Sequence, residues 1–471
     1  MEKLRFYNSL TKQIEVFKPQ QAGKVRIYNC GPTVYQRQHI GNMRRFLFAD
    51  FLRRTLELAG YEVREVTNIT DVGHLTEDDI DAGEDKIEKA ARRQKVAPQE
   101  IAKKQANLFF DDLKQLNIQP AHAYPRASQH IPQMQKLISQ LIKAGHAYET
   151  RSGVYFDVRS WPDYGRLSGN KLEDLEAGRR VEVREEKKHP ADFALWVRDD
   201  KHGQKWASPW GVGYPGWHIE CSAMSLEYLG ADIDIHTGGE DNRFPHHENE
   251  IAQSEGALQQ VQGKLQKFVH FWMHNRHLQW QGKKLAKREG GQITLDTLKE
   301  KGYSPLALRW LVFSSHYRSK IDFSWEMLDE AQKNMETIKQ LVRRLDLLPP
   351  AQASGADGEV IGRFGEALAD DLNTPKAWAV FWDYVREINR KQEQKGWATL
   401  RAMDRVLGVI EPLRRDLAAE TIPEEIQTLV DRREKAREGG EFNEADRLRE
   451  EIEKQGYKIE DTAGSPRVIK L

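Results

Sequence analysis

The chain has 471 residues, of which 72 are basic and 72 are acidic, so its formal net charge at neutral pH is zero. This length is too great for one hydrophobic core and predicts several domains, while zero net charge excludes a globally basic nucleic-acid-binding surface. The chain has only two cysteines, no signal-peptide pattern and no long uncharged apolar stretch. We therefore expect a cytoplasmic protein that is not stabilised by disulfides and does not span a membrane.

Residues 24–71 have the pattern of a strand, a helix and a second strand. Residues 25–28 alternate like a strand, apolar residues then recur at helical spacing, and residues 61–69 form another strand-like run. Such a unit is half of a doubly wound parallel sheet, whose ligands lie beyond the carboxyl ends of its strands. We therefore predict an α/β fold with a Rossmann-like nucleotide-binding sheet. Three side chains are expected at its ligand-binding edge: Cys30, His39 and Thr70.

Residues 80–206 interrupt this pattern. Helical stretches such as 131–143 alternate with strand-like pieces such as 153–158, and glycine, proline and charge runs separate them. We interpret this segment as an insertion that splits the sheet. Regular alternation then returns, with a helix over 217–228, a strand over 232–236, a helix over 246–254 and a strand over 268–271.

The last third of the chain is mainly helical. It follows a charged loop over 282–291, and a long helix is predicted over 326–348. Thr374 and Pro375 predict a helix start, with threonine as the N-cap and proline at the first helical position. After residue 421, a charged helical stretch and a strand-like tail predict a small C-terminal domain behind the helical bundle.

Both cysteines stand near other residues that bind metals. His246 and Glu250 are four residues apart on a predicted helix, so both side chains can reach one ion. An isolated pair of this kind is more often the polar face of a surface helix, and a lone cysteine is more often a buried apolar residue. Because Cys30 and Cys221 fall at the ends of neighbouring sheet elements, the four together favour a zinc site. The adjoining side chains His247 and Glu248 are interpreted as groups that support the ligands or face solvent.

Two further segments are typical of phosphate binding. His39-Ile40-Gly41-Asn42 lies at a strand-to-helix turn, where backbone amides and an imidazole can approach phosphate oxygens. The basic run over 283–288 is followed by two glycines and is, in isolation, usually a solvated turn. The order along the chain favours a functional site over a solvated turn. A phosphate-binding turn is followed by an insertion, a second half-sheet and then a lysine-rich loop.

These features together resemble the cysteinyl-tRNA synthetases, a family of class I aminoacyl-tRNA synthetases, over almost the full chain. The stretches that carry the resemblance are 28–42, 68–71, 192–196, 216–224, 244–250 and 370–375. The sequences Gly-Trp-His-Ile-Glu-Cys-Ser-Ala-Met and Phe-Pro-His-His-Glu-Asn-Glu are highly specific to this family.

The resemblance implies a role for each candidate residue. One zinc ion, which holds the site together and recognises the substrate, is bound by Cys30, Cys221, His246 and Glu250. ATP, carried with Mg²⁺, is bound by His39, Gly41, Asn42, Lys284 and Lys287. Of these, His39 and Lys287 are the catalytic residues. The substrate cysteine is held by Thr70, Trp217, His236 and Asp241.

Two motifs depart from the family's usual form. The tetrapeptide that ends at Asn42 matches the family's HIGH motif but has asparagine in place of the second histidine. Residues 284–288 match the KMSKS motif, with Leu285, Ala286 and Arg288 in place of Met, Ser and Ser. The second lysine of that motif, Lys287, is retained, and activity is therefore expected.

The implied function is the attachment of L-cysteine to its cognate tRNA by a monomer, through ATP-dependent formation of cysteinyl-adenylate and transfer to the terminal ribose. Zinc would select the thiol of cysteine, because the hydroxyl of serine is a poor zinc ligand. Shape alone would favour cysteine over the nearly isosteric serine by only about a hundredfold. The implied segments are the first half of the catalytic domain (1–125), a connective insertion (126–205), the second half of the catalytic domain (206–270), the KMSKS-type loop and stem-contact region (271–324), a tRNA-binding helical bundle (325–420) and an anticodon-binding domain (421–471).

Two alternatives remain open at this point. A ligase with the same zinc and ATP chemistry could pass the activated cysteine to an amino sugar, as in the mycothiol-pathway ligase that resembles this family. The altered motifs also suit a non-catalytic RNA-binding relative. The C-terminal third distinguishes a tRNA ligase from a sugar ligase, because a sugar ligase has little use for tRNA-contacting domains.

Overall fold

The computed structural model describes residues 3–72, 75–77, 82–173, 186–262, 267–280, 282–284, 293–346, 355–391, 396–419, 422–460 and 466–470. The chain forms two compact units, residues 1–410 and residues 411–471. The predicted charged loop over 282–291 falls largely outside the described residues.

The first unit contains both strands and helices. Its strands are β1 (Arg5–Asn8), β2 (Gln13–Val16), β3 (Lys24–Asn29), β4 (Glu62–Thr67), β5 (Leu75–Glu77), β6 (Ala82–Asp85), β7 (Ala147–Glu149), β8 (Gly153–Phe156), β9 (Phe193–Arg198), β10 (Gly213–Pro215), β11 (Ile233–Gly239), β12 (Val269–Asn275), β13 (Leu278–Trp280), β14 (Lys283–Lys284) and β15 (Ile321–Phe323). Its helices are α1 (Ile40–Leu58), α2 (Lys86–Gln94), α3 (Pro98–Gln115), α4 (Ile131–Lys143), α5 (Trp217–Leu229), α6 (Glu248–Gln262), α7 (Leu295–Glu300), α8 (Pro305–Phe313), α9 (Trp325–Asp346), α10 (Gly358–Ala369), α11 (Thr374–Lys391) and α12 (Trp397–Leu407).

A four-stranded parallel sheet with the strand order β12-β11-β3-β4 forms the centre of the first unit. All seven residues of β11 are buried, as expected for a strand covered on both faces. The strand order reverses between β3 and β11, because β4 lies on one side of this pair and β12 on the other. The predicted α/β fold with a doubly wound parallel sheet is therefore confirmed.

Helix α1 connects β3 to β4 and begins at the edge where ligands are expected. His39 is its N-cap, and the Nδ1 atom of that imidazole accepts a hydrogen bond from the Asn42 amide at 3.2 Å. Shortly after the helix ends, Gly60 takes a φ of 92°, a conformation that favours glycine, and the chain turns into β4. The predicted strand, crossover helix and parallel strand are thus confirmed.

The segment between β4 and β11 carries the predicted insertion. It contains α4 and an antiparallel sheet with the order β10-β9-β8-β7. Apolar side chains of α4, among them Met134 and Leu137, share a core with Phe156 and Trp196 from this sheet. The helix predicted over 131–143 has the observed bounds of α4.

The helix predicted to begin at His246 starts two residues later. A short helical turn, Arg243–His247, precedes α6, and Phe244 within it has an extended backbone with φ −143° and ψ 135°. That conformation breaks the helical hydrogen-bond pattern. His246 nevertheless lies over Glu250, as the four-residue spacing predicted.

The helical part of the first unit is joined to the N-terminal strand by Asp371. This buried aspartate accepts hydrogen bonds at Oδ1 from the Tyr7 amide at 2.8 Å and from the Tyr317 hydroxyl at 2.6 Å. Its other oxygen accepts from Arg318 Nε at 2.7 Å. Asp371 thereby connects β1, the segment before β15 and the loop before α11.

The start of α11 differs by one residue from the predicted cap. Asn373, and not Thr374, provides the capping oxygen, since its Oδ1 accepts a hydrogen bond from the Lys376 amide at 3.1 Å. The hydroxyl of Thr374 instead donates to the Ser315 carbonyl at 3.2 Å. The threonine predicted as a cap thus holds the helix start against a neighbouring segment.

The second unit is small and has its own core. Helix α13 (Ile410–Ala419) leads into it, and it contains α14 (Glu424–Glu438), α15 (Phe442–Lys454) and the antiparallel pair β16 (Tyr457–Glu460) and β17 (Arg467–Lys470). Its core side chains are Ile426, Leu429, Val430, Leu448, Ile452 and Ile459. The predicted charged helical stretch and strand-like tail are confirmed. Among the described residues of the whole chain, no helix has the length and apolar character needed to cross a membrane.

Candidate active site

A cavity of about 550 Å³ opens at the carboxyl ends of β3 and β11, where the strand order reverses. Ligands of doubly wound sheets bind at this position. Nine residues predicted for the site line the cavity: Cys30, His39, Gly41, Asn42, Thr70, Trp217, Cys221, Asp241 and His246. Two others, His236 and Glu250, are fully buried behind it. Nothing is described of the Lys284 side chain, and Lys287 lies outside the described residues.

Four predicted metal ligands meet at the base of this cavity. The donor atoms of Cys30, Cys221, His246 and Glu250 all lie within 4.8 Å of one another, and all four side chains are buried. Glu250 Oε1 is 3.1 Å from His246 Nε2 and 3.7 Å from Cys30 Sγ. Ligands bound about 2.0–2.3 Å from a tetrahedral ion are about 3.3–3.8 Å apart. The donor set and its spacing therefore fit a zinc ion.

The predicted ligand His246 is held from the side opposite Glu250. Its Nδ1 lies 2.9 Å from His218 Nδ1, and its ring stacks on Trp217 with centroids 4.2 Å apart. A hydrogen bond to the nitrogen that does not face the metal fixes the tautomer and orientation of a histidine ligand. The arrangement leaves Nε2 directed toward Glu250.

His236 contacts the predicted ligand Glu250 and is not among the residues that line the cavity. Its Nε2 lies 3.0 Å from Glu250 Oε2, the carboxylate oxygen other than the one near His246. The ring is stacked on Trp272 with centroids 4.6 Å apart and is fully buried. The expectation that His236 helps to hold the substrate cysteine stays a prediction, and its ring lies against Glu250 behind the cavity wall.

Burial suppresses ionisation of both thiols. It raises the pKa of Cys30. The hydrogen bond that the Cys221 thiol donates to Cys30, together with burial, raises the pKa of Cys221 well above its ordinary value. A coordinated metal ion reverses this balance, because it deprotonates the thiols that bind it.

Residues 16–333 match the family described as tRNA synthetases class I (C) catalytic domain, and residues 363–411 match the DALR domain. Residues 419–465 match the cysteinyl-tRNA ligase anticodon binding domain. The cysteine–tRNA ligase of Thermus thermophilus is 42% identical over 98% of both chains. That of Deinococcus radiodurans is 42% identical over 98% of this chain and 96% of its own.

The chain belongs to the cysteine–tRNA ligase family. Like other members of class I, it shares its fold with synthetases for different amino acids. Mycobacterium tuberculosis methionyl-tRNA synthetase in complex with methionyl-adenylate matches with a TM-score of 0.57 and 13% identity, over 84% of this chain and 92% of that one. The Agrobacterium radiobacter LeuRS–tRNA–LeuAMS complex matches with a TM-score of 0.57 and 12% identity, over 86% of both chains. At these identities the likeness concerns the fold alone.

In this cysteine–tRNA ligase family member, the HIGH-type motif is both a helix cap and part of the cavity wall. Because His39 Nδ1 accepts from the Asn42 amide, the neutral ring carries its proton on Nε2. An Nε2–H donor and the positive end of α1 thus lie at the same wall of the cavity. Asn42 contributes its backbone amide to the cap, which does not depend on the side chain at this position.

Arg45 is a site residue that sequence reasoning missed. It lines the cavity, and its Nη2 donates to the Gly31 carbonyl at 3.1 Å while Nη1 donates to Asn242 Oδ1 at 3.4 Å. Its guanidinium therefore links the turn after β3 to the loop after β11. The available signal was an arginine pair, Arg44 and Arg45, in the second turn of α1, and helical spacing alone does not show which of the two faces the cavity.

Proposed function

We propose that this chain attaches L-cysteine to its cognate tRNA in two steps. In the first, a cysteine carboxylate oxygen attacks the α-phosphorus of ATP, and pyrophosphate leaves. In the second, a hydroxyl of the terminal tRNA ribose attacks the carbonyl carbon of cysteinyl-adenylate, and AMP leaves. Neither step needs a nucleophile from the protein, so catalysis rests on positioning and charge stabilisation.

The observation that carries this proposal is the meeting of two groups of residues in one cavity. A cluster of sulfur, nitrogen and oxygen donors lies at its base, and the start of α1 with His39 lies in its wall. The first group suits a thiol held through a metal, and the second suits phosphate oxygens. A substrate made of cysteine joined to a nucleotide phosphate needs both.

Cys30, Cys221, His246 and Glu250 are proposed to hold one zinc ion. When bound there, zinc would accept the side chain of the substrate as a thiolate, a ligand that serine does not offer at neutral pH. His236 and His218 are proposed to orient the ligands Glu250 and His246. Selection by sulfur removes the need for an editing site.

The remaining wall of the cavity is proposed to hold the other parts of the substrates. Thr70, Trp217 and Asp241 line it, and the Asp241 carboxylate suits the ammonium group of cysteine. His39 donates from Nε2 to phosphate oxygens, with Gly41 and Asn42 in the first turn of α1. Lys284 and Lys287 are proposed to neutralise the phosphates of ATP, which enters with Mg²⁺.

The acceptor is proposed to be tRNA. The match of residues 419–465 to an anticodon binding domain supports tRNA over an amino sugar, for which such a domain has no use. Residues 325–420 and 421–471 are therefore proposed as the tRNA-binding bundle and the anticodon-binding domain. The two free, buried thiols suit a reducing cytoplasm, and we propose that the chain acts there as a monomer.

The experiment that tests the proposal measures zinc content, cysteine-dependent ATP–pyrophosphate exchange and tRNA charging on one preparation. Cys221→Ala is expected to lose bound zinc and cysteine-dependent exchange together. Glu227→Ala changes an exposed residue of the same helix and is the matched control. Exchange that persists in Cys221→Ala without metal would refute the zinc assignment, and transfer of labelled cysteine to an amino sugar but not to tRNA would refute the acceptor.

A further inference from the structure

A chain of three buried side chains ends at the sulfur of Cys30. His247 Nε2 lies 3.2 Å from Cys30 Sγ, and its Nδ1 lies 2.8 Å from His274 Nε2. His274 Nδ1 in turn lies 2.8 Å from the hydroxyl oxygen of Ser9. The chain therefore runs from Ser9 through His274 and His247 to Cys30, and all four side chains are buried.

The ring of His247 is fixed in place by its surroundings. A Cβ atom at Gly238 would lie 2.5 Å from His247 Cε1 and 2.9 Å from Nε2, so the ring fits only because residue 238 is glycine. Trp272 packs against the ring with centroids 5.0 Å apart. The contact between His247 and Cys30 is thus built into the core.

The direction of every hydrogen bond in the chain follows if Cys30 is a thiolate. A thiolate can only accept, so the proton lies on His247 Nε2. Neutral His247 then accepts at Nδ1 from His274 Nε2, and neutral His274 accepts at Nδ1 from the Ser9 hydroxyl. Burial lowers the pKa of His274 to about 3, which agrees with a neutral ring at that position. All three hydrogen bonds point toward the sulfur.

We propose that His247 is a positioning residue whose N–H···S hydrogen bond, aligned by His274 and Ser9, holds Cys30 as a metal-binding thiolate. The bond withdraws negative charge from the sulfur, which leaves more positive charge on the ion for the thiol of the substrate. This inference rests on the zinc assignment of the proposed function. It adds a residue that sequence analysis interpreted only as supporting the ligands or facing solvent.

Two polar substitutions of His247 test the hydrogen bond itself. The amide nitrogen of glutamine is as many bonds from the backbone as Nε2, and that of asparagine as many as Nδ1. His247→Gln therefore keeps a donor toward Cys30, whereas His247→Asn keeps only the side near His274. We expect His247→Gln to bind zinc nearly as tightly as the unmodified chain and His247→Asn to bind it about 10–100-fold more weakly.

The readout that a purely structural role would not change is the thiolate-to-metal charge-transfer band of the full chain loaded with Co²⁺. Loss of the N–H···S bond raises the energy of the sulfur lone pairs, so the band moves to longer wavelength in His247→Asn but not in His247→Gln. Ser9→Ala removes only the far hydroxyl and is expected to move the band in the same direction by less. Circular dichroism of each variant establishes that it is folded.

Each other outcome overturns the inference. If both His247 variants match the unmodified chain in zinc affinity and band position, or if both are equally impaired, His247 is not the donor. If the Ser9→Ala band does not move, the chain of hydrogen bonds is not coupled. If the unmodified chain shows no thiolate band with Co²⁺, the zinc assignment itself fails, and the inference fails with it.

Discussion

The backbone of Gly31 runs directly against the carbonyl oxygen of Asn68, so that a Cβ atom at residue 31 would lie 1.4 Å from that oxygen. The Gly31 amide also donates to Asn68 Oδ1 at 2.7 Å. These contacts join the turn after β3 to the segment after β4. They fix the path of the chain immediately after the proposed ligand Cys30.

Gly31→Ala is expected to destabilise the first unit by about 3 kcal/mol or more, because a methyl group there forces two backbone segments apart. The position of Cys30 should shift with them, and zinc affinity should fall. Gly362→Ala is the matched control, since a Cβ atom at that exposed helical position meets nothing within 4 Å. It should stabilise the chain by about 0.5–1 kcal/mol. Thermal unfolding and zinc titration measure both effects, and equal stability of the two variants would contradict the prediction.

Asp371→Asn is expected to destabilise the first unit by about 2–4 kcal/mol. The substitution removes the charge that Arg318 pairs with and one acceptor of a buried group that joins three segments. Its neighbour Asp370 is exposed and pairs with Arg5, which is also exposed. Asp370→Asn should therefore cost less than about 1 kcal/mol. Denaturant unfolding of both variants compares the two, and a larger loss in Asp370→Asn would refute the role of Asp371.

Glu65 is expected to make the chain less stable as the pH rises toward neutrality. Burial raises the pKa of Glu65 to about 7, against the opposing effect of Arg53 Nη1 at 3.0 Å. Between its ordinary pKa of about 4.3 and this value, the folded chain binds more protons than the unfolded chain. The stabilisation is complete below this window and is lost as the pH rises through it, by up to about 1.4 kcal/mol per pH unit.

Glu65→Gln should flatten the decline in unfolding midpoint between pH 5 and pH 7, which denaturant titrations across that range measure. Glu62→Gln, at the exposed start of the same strand, is the control and should keep the slope of the unmodified chain. If the unfolding midpoint of Glu65→Gln declines with pH as steeply as that of the unmodified chain, the Glu65 carboxyl does not cause the decline.

Lys287→Ala is expected to reduce cysteine-dependent ATP–pyrophosphate exchange about a hundredfold to a thousandfold while zinc remains bound. The reason is the loss of a positive charge that stabilises the phosphates during transfer. Lys287 lies outside the described residues, so this prediction rests on the match of residues 284–288 to the family motif. Lys320→Ala removes an exposed lysine and is the control. Exchange close to that of the control would exclude the loop from the mechanism.

The elements around the parallel sheet could be predicted because they follow local periodicity. The strand, helix and strand of residues 24–71 have distinct spacings of apolar residues, and their order determines where Cys30 and His39 lie. Cys221 and His246 join them at the same cavity because the elements that carry them pack beside β3. The meeting of these residues at one edge of the sheet could therefore be predicted from the fold class.

Contacts across large sequence separations could not be predicted in this way. His247 meets Cys30 across 217 residues, and no local pattern distinguishes its imidazole from that of His246. Family resemblance places His236 in the cysteine pocket, but the contact of its Nε2 with Glu250 follows from no local pattern. Arg45 depends on a carbonyl and an amide from two loops, which only the assembled sheet brings together.

The attachment of β1 to Asp371 sets an order of events during synthesis. The Tyr7 amide finds its acceptor 364 residues later in the chain. At translation rates of about 5–20 residues per second, the N-terminal strand must wait about 20–70 seconds before its partner has left the ribosome. For that interval, the Tyr7 amide is without the acceptor that it has in the folded chain, although β1 can already pair with β2.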